Sequence, residues 1–230
     1  MADETLNEHM YTCGHTREQL ALMGEGRWGK NRLTYFVQNY DTEELSKEEW
    51  DAVIAKAFGN WTAVCNLHFS IAPNAQSADI VITFARGRRP GLDGRLGILA
   101  MCELPRGTNF DGQLNLTIDA DEDWGGEIKP ENVLTHEIGH GIGQGHTNVS
   151  RQLMNPRYSE LIAVPQSHDI QVAVADYGQP SAAPTPSPSP TPTPVPTPIG
   201  SVPCKILLNG VVYAGSLEAQ SGASKVEFRE

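Results

Sequence analysis

Three histidines and a glutamate lie close together in the chain, at a spacing that suits metal-assisted hydrolysis. The segment from 135 to 146 reads THEIGHGIGQGH. His136 and His140 are four residues apart, so on a helix both imidazoles project from one face and can hold a single zinc ion. Glu137, beside the first histidine, stands where a general base acts on a metal-activated water. The pattern therefore predicts a zinc-dependent hydrolytic site.

A zinc ion that keeps one position open for catalysis needs a third protein ligand. His146 can supply it only if the helix ends and the chain turns back towards the first two histidines. Gly143 lies between them, and glycine adopts the positive φ of such a turn at the least cost. Gly141 and Gly145 loosen the same segment. We therefore expect the three histidines to bind one catalytic zinc.

The segments around this site predict strands that alternate with long helices. Helices are indicated by a capping box, in which Ser46 is followed three residues later by Glu49, and by Pro130 near the first turn of the zinc-binding helix. The predicted elements are strands at 33–37, 78–84 and 97–101, a helix behind Ser46, and helices at 131–142 and 166–177. This order favours a mixed sheet covered by helices.

A methionine, Met154, follows the third histidine by eight residues. A methionine in a tight turn below three zinc-bound imidazoles completes the metzincin arrangement. From about Met23 to Gly178 the chain resembles the metzincin metalloproteases and, among them, the matrixins. Further matches are Trp28, Leu33-Thr34-Tyr35, Ala78-Asp79-Ile80, Asp93-Gly94, Leu99-Ala100, Pro156-Arg157-Tyr158 and Tyr177-Gly178. The resemblance implies an α+β fold with a mixed, mostly parallel twisted sheet and about three helices, and it makes Met154 the Met-turn residue.

The resemblance also implies a zinc endopeptidase in which Glu137 is the general base. A substrate would lie as an additional strand along 97–101 and bind through main-chain hydrogen bonds. One wall of the pocket for the side chain after the scissile bond would run through 156–158, and in the family this pocket favours large apolar residues. The residues that the resemblance implies in substrate binding are Leu99, Ala100, Asn132, Pro156 and Tyr158.

A structural calcium ion is a further implication of the resemblance. The carboxylates that would bind it are Asp93, Asp119 and Glu122. Calcium prefers six to eight oxygen ligands, including carboxylates and main-chain carbonyls. The family's second, structural zinc is not expected, because the loop at 87–92 lacks histidine and aspartate, and Met101 and Thr117 stand at later histidine positions.

Cys13 raises the question of latency. Family zymogens present a cysteine to the zinc from a Pro-Arg-Cys-Gly segment, and Cys13-Gly14 lies at a comparable distance before Trp28. Tyr11-Thr12 stands in place of the Pro-Arg pair. A thiolate can bind zinc, so two interpretations stay open: a cysteine switch and an ordinary surface thiol.

Composition excludes several classes of protein. The 28 acidic residues outnumber the 17 basic ones, for a net charge of −11, which argues against nucleic acids and anionic membranes as partners. No stretch is apolar enough for a membrane span. The start of the chain is acidic and lacks the features of a secretory signal. The resemblance nevertheless implies an extracellular or surface-associated protein that acts on proteins or peptides.

Four segments are predicted along the chain: an extension at 1–22, the catalytic domain at 23–178, a linker at 179–200 and a small β-hairpin segment at 201–230. Proline alternates with Ser and Thr in the linker, which favours an extended spacer. Asn209-Gly210 between apolar runs predicts a hairpin. A lone hairpin is marginally stable, so we expect this segment to dock on a partner, to oligomerise or to be what remains of a larger module.

Two other functions stay open beside the endopeptidase. One is a catalytically silent binding or structural module with the same fold, tethered through the proline-rich linker. The other is a zinc hydrolase that acts on bonds other than peptide bonds. The presence of Glu137 favours an enzyme, because a silent module has no need of the base.

Overall fold

The computed structural model describes Cys13, residues 26–126, residues 128–180 and three strands between 202 and 228. The chain divides into two compact units, Met1–Ser181 and Ala182–Glu230, which are described separately. Most of the predicted linker and the Asn209-Gly210 turn lie outside the described residues.

A five-stranded sheet forms the centre of the first unit. Its strands are β1 (Arg32–Val37), β2 (His68–Ile71), β3 (Ile80–Ala85), β4 (Ala100–Cys102) and β5 (Leu114–Asp119). The strand order is β2-β1-β3-β5-β4, with parallel pairing except for the antiparallel β4 at one edge. The central strand β3 reads IVITFA and is almost completely buried, as expected for a parallel strand that other elements cover.

The described residues include three helices: α1 (Lys47–Thr62), α2 (Pro130–Gly141) and α3 (Ser167–Tyr177). The predicted capping box of Ser46 and Glu49 starts α1, and Pro130 occupies the first turn of α2, where its missing amide hydrogen is not needed. Trp61 of α1 donates its ring N–H to the Thr135 carbonyl of α2 over 2.8 Å. This buried contact fixes the helix that carries the histidine motif.

The predicted fold class is confirmed: a mixed, mostly parallel sheet is combined with three helices. The strand predicted at 97–101 is wrong in its bounds, because β4 begins at Ala100. Leu96 and Gly97 have φ of +68° and +158°, and the Ile98 amide donates to Asp93 rather than to a neighbouring strand. Strands β2 and β5 were not predicted.

The second unit contains a three-stranded antiparallel sheet instead of a single hairpin. Its strands are β6 (Val202–Leu208), β7 (Val211–Gln220) and β8 (Ala223–Phe228), in the order β6-β7-β8. Leu208 pairs with Val211 on either side of the predicted turn. The third strand corrects the hairpin prediction for 201–230.

Within the described part of the chain, no helix has both the length and the apolar character needed to cross a bilayer.

Candidate active site

Helix α2 and the turn after it bring the three histidines of the motif together. His136 and His140 belong to α2, and Gly143, with a φ of +101°, lies in the turn that returns His146 to them. The three ring centroids are 4.8 to 5.4 Å apart, and Nε2 of His140 lies 3.2 Å from Nε2 of His146. The positive φ that the sequence predicts at Gly143 is confirmed.

Main-chain carbonyl groups fix the orientation of two of these rings. Nδ1 of His136 donates to the Leu153 carbonyl, and Nδ1 of His140 donates to the Gln144 carbonyl, each over 2.7 Å. A carbonyl oxygen only accepts, so each Nδ1 carries the proton and each Nε2 carries a lone pair. Burial lowers the pKa of His136, which keeps this imidazole neutral. Both rings are therefore in the form that binds a metal ion.

The donor atoms between the histidines fit a zinc ion. Among the described residues, one group of metal-binding side chains has all its donor atoms within 4.8 Å of one another, and it consists of Cys13, His136, His140 and His146. Nε2 of His136 is buried and forms no hydrogen bond with any described atom, which is unfavourable unless a ligand satisfies it. The 3.2 Å between Nε2 of His140 and Nε2 of His146 is close to the roughly 3.3 Å edge of a tetrahedron with zinc–nitrogen bonds of about 2.0 Å.

Glu137 is buried and bound to strand β4. Its Oε2 accepts a hydrogen bond from the Cys102 amide over 2.8 Å, and 1% of the residue is exposed. Burial raises the pKa of Glu137 to about 8, while hydrogen bonds from the Cys13 thiol and the Cys102 amide lower it. Because the main chain holds one of its oxygens, the carboxyl group has a defined position beside the histidines. This arrangement suits a group that accepts and returns a proton.

Met154 packs closely against helix α2 at Gly139. A Cβ atom on Gly139 would collide with the Met154 side chain and would come within 2.8 Å of the Trp61 ring. The Met154 carbonyl accepts a hydrogen bond from the Thr147 amide over 2.9 Å, so the turn is tied to the residue that follows His146. The Met154 side chain therefore fills the space beside Gly139, and its carbonyl group binds the residue that follows His146.

A cavity opens beside His136 and Glu137, and both residues form part of its wall. Its walls include Leu99, Asn132, Val133, Leu153, Tyr158 and Ile162. The side-chain amide of Asn132 donates to the Ser159 carbonyl over 2.9 Å, which links helix α2 to the wall of the cavity that contains Ser159. Of the residues predicted for substrate binding, Ala100 lies on the edge strand β4, and Pro156 is absent from the cavity walls within the described residues.

Of the three predicted calcium ligands, Asp119 is the last residue of β5, and Asp93 and Glu122 lie in loops. Asp93 accepts from the Ile98 amide, and Asp119 accepts from the amides of Gly94 and Asp121. Their donor atoms do not converge as closely as those of the histidine group, as far as the described residues show.

Glu122 is the exceptional member of this set. Both of its carboxylate oxygens are buried without a hydrogen bond from any residue that the structure describes. Burial, together with the charges of Asp119 and Asp93, raises the pKa of Glu122 to about 7. The nearby Leu96 amide lowers this pKa, but it does not meet the geometry of a hydrogen bond to either oxygen. The carboxylate therefore has unmet bonding capacity that a cation could satisfy.

Cys13 lies at the centre of the site rather than on the outer surface. Its Sγ is 3.2 Å from Nε2 of His140, and its thiol hydrogen-bonds to Glu137. It is half-buried and forms part of the wall of the cavity. Of the two interpretations that the sequence left open, this position favours the one in which the thiol contacts the metal site.

Several residues that shape the site were not predicted from the sequence. Cys102 and Leu153 act through main-chain groups, which give no signal in the side-chain pattern. Gln144 and Asp169 are buried polar residues with 3% and 1% of their surfaces exposed. The Asp169 carboxylate accepts the Gln166 amide hydrogen at the start of α3, but Gln166 and Asp169 are not the Ser/Thr and Glu/Gln pair by which a capping box is found in a sequence.

Known proteins are similar in sequence to this chain over most of its first unit. The family model described as Matrixin matches residues 27–178. The chain is 35% identical to stromelysin-3 of Xenopus laevis over 185 residues, which covers 76% of this chain and 38% of that protein. It is 34% identical to karilysin of Tannerella forsythia over 183 residues, with 76% and 38% covered. It is 37% identical to interstitial collagenase of Sus scrofa over 191 residues, with 79% and 39% covered. The chain thus spans about two fifths of the length of these curated relatives.

Proposed function

Since the chain belongs to the matrixin family, we propose that it is a zinc-dependent endopeptidase. The observation that carries this proposal is the convergence of three imidazole nitrogens next to a buried glutamate. His136, His140 and His146 would hold the zinc ion. A bound zinc ion supplies Lewis acidity, which acidifies water and polarises a carbonyl group.

Glu137 is the general base in this proposal. The Cys102 amide holds its Oε2, so the carboxyl group can take a proton from water without losing its position. The same group then returns the proton to the leaving amine. A base that is fixed before the reaction does not need to be ordered during it, which is the advantage of a buried and hydrogen-bonded carboxylate.

A peptide substrate would add to the edge of the sheet at β4. Among the described residues no strand pairs with the side of β4 that faces away from β5, so main-chain groups there that Glu137 does not occupy could bind an extended peptide. Leu99, Val133 and Ile162 give the cavity beside Glu137 an apolar lining. We therefore expect the side chain after the scissile bond to be large and apolar.

Quenched fluorescent peptides test this function directly. The full chain and its Cys13→Ser variant are assayed with peptides that carry Leu or Asp after the scissile bond. We expect cleavage of the Leu peptide, its loss when a chelator removes the metal, and its return with added zinc. A protein that binds zinc but cleaves no member of a peptide library would instead be a silent module or a hydrolase of other bonds.

Latency through Cys13 is part of the proposal. The sulfur lies 3.2 Å from Nε2 of His140 and the thiol reaches Glu137. A thiol in this position would occupy the ligand position that catalysis needs open and would also contact the base. Its release is therefore expected to activate the enzyme.

A structural calcium site at Asp93, Asp119 and Glu122 is proposed as well. The buried, unsatisfied carboxylate of Glu122 supports it, because hard oxygen ligands with negative charge suit calcium. Calcium would also offset the mutual repulsion of the three carboxylates, which adds to the effect of burial in raising the pKa of Glu122.

Calcium is expected to raise the melting temperature of the protein by about 5–10 °C at 100 times its dissociation constant, which corresponds to about 2.7 kcal/mol. In Glu122→Gln, which keeps the shape of the side chain, this rise should largely disappear. Calorimetry with zinc saturated and calcium varied measures both. Without calcium the variant should be at least as stable as the parent, since it no longer buries a charge. An equal rise in both proteins would show that calcium binds elsewhere.

The organisation of the chain is proposed on the same basis. We assign catalysis to 23–178, which agrees with the region of the family match, and treat 1–22 as the segment that carries Cys13. Residues 179–200 are a spacer, and 201–230 form a unit that docks on a partner. By family resemblance, the enzyme acts outside the cell or at its surface.

A further inference from the structure

From the hydrogen bonds behind the histidines, we infer that Asp169 and Gln144 are positioning residues that orient the two zinc-binding imidazoles of helix α2. This inference rests on the proposed zinc site. Both side chains are polar and buried, and each hydrogen-bonds to main-chain groups. They reach His136 and His140 through two separate routes that meet at Asp169.

The first route joins Asp169 to His136 through one peptide group. Oδ1 of Asp169 accepts the Met154 amide hydrogen over 3.2 Å, and the Leu153 carbonyl on the other side of the same peptide bond accepts Nδ1–H of His136 over 2.7 Å. The peptide bond is planar and rigid. Fixing its N–H therefore also fixes the direction of its carbonyl group, and with it the plane of the imidazole.

The Asp169 carboxylate is itself held firmly. Oδ2 accepts the amide hydrogens of Leu153 and Gln166, each over 2.8 Å. With three main-chain donors on two oxygens, the carboxylate is well satisfied in spite of its burial. It can thus act as a fixed point between the start of α3 and the turn that contains Met154.

The second route joins Asp169 to His140 through Gln144. The side-chain amide of Gln144 donates to the Asp169 carbonyl over 2.9 Å, and the Gln144 carbonyl accepts Nδ1–H of His140 over 2.7 Å. The main-chain amide of Gln144 donates to the Gly139 carbonyl over 2.9 Å. Gln144 is thus held at three points, so its carbonyl has a fixed direction towards the ring.

These contacts decide how the rings face the metal. A hydrogen bond to Nδ1 sets the tautomer and the ring plane of a histidine ligand, and the loss of such a partner typically weakens metal binding or activity by about 10- to 100-fold. Without Asp169 or Gln144, the carbonyl groups remain but lose their fixed direction. We therefore expect weaker zinc binding rather than a loss of the fold.

Two near-isosteric variants test the inference in the full chain. Asp169→Asn keeps the shape of the side chain but replaces one acceptor oxygen with a donor, and Gln144→Met removes the amide donor. Gln171→Met, at an exposed position on α3, is the matched control. Zinc affinity is measured by competition with a chromophoric chelator, the geometry of the site by the absorption spectrum of the cobalt-substituted protein, and folding by near-ultraviolet circular dichroism without metal.

We expect the zinc dissociation constant to rise about 10- to 100-fold in both variants, with an altered cobalt spectrum and unchanged circular dichroism. The control should match the parent in all three measurements. Parent-like zinc affinity and cobalt spectra in the Gln144 variant would overturn the inference. If Asp169→Asn does not fold, the Gln144 variant decides the matter. A parent chain that binds no zinc would contradict the proposed function itself, which is a different result from variants that bind as well as the parent.

Discussion

Replacing Glu137 with glutamine is expected to reduce kcat/KM for peptide hydrolysis by about 100- to 10,000-fold while zinc stays bound. Glutamine has nearly the same shape and can still accept the Cys102 amide hydrogen, which Oε2 accepts over 2.8 Å in the parent. It cannot, however, take a proton from water. The three histidines are untouched, so the metal site should remain complete.

The measurement is best made in the Cys13→Ser background, so that latency does not hide the effect. Peptide cleavage is followed by fluorescence, and zinc content is determined by elemental analysis of the same samples. Glu48→Gln, which changes an exposed glutamate in the first turn of α1, controls for the loss of a negative charge. Full activity of the Glu137 variant with zinc confirmed would remove Glu137 from the mechanism.

Replacing Cys13 with serine is expected to raise kcat/KM roughly 10- to 1,000-fold. In the structure the sulfur lies 3.2 Å from Nε2 of His140, and the thiol contacts Glu137. If the form without this contact makes up about 0.1–10% of the parent, abolishing the contact gives an increase of that size. A serine hydroxyl has the size of the thiol but does not provide the thiolate that binds zinc.

Thiol alkylation provides an independent test of the same contact. It should activate the parent and leave Cys13→Ser unchanged. Cys65 and Cys102 are buried, so Cys13 is the most accessible thiol among the three cysteines whose side chains are described. Equal activity of parent and variant before and after alkylation would show that Cys13 does not control access to the site.

The histidine spacing was enough to predict that three imidazoles converge, and Gly143 was enough to predict where the helix ends. Both signals are local, because a helix repeat and a positive φ depend on neighbouring residues. Strands β2 and β5 were missed for opposite reasons. β2 has four residues at the edge of the sheet, which is too short for a pattern. In β5 the alternating Leu114 and Leu116 are masked by Asn115 and Asp119, residue types that are rare in strands.

The support behind the histidines could not be predicted in the same way. The partners of His136 and His140 are carbonyl groups, and every residue has one. Only the fold decides that the Leu153 carbonyl faces a ring, and only the packing of α3 decides that Asp169 faces the Leu153 amide. Long-range contacts between main-chain groups leave no trace in residue type, so this part of the site needed the structure.

The hydrogen bond from the Cys102 amide to Glu137 has a consequence for alignment. The strand that would guide an incoming polypeptide also anchors the carboxyl group that would transfer the proton in the proposed mechanism. A small displacement of this strand would move the bound substrate and the Glu137 carboxyl group together. The distance between the scissile bond and the general base would then be preserved. One strand would thus position both the substrate and the catalytic carboxyl group, so small motions at the edge of the cleft would not misalign them.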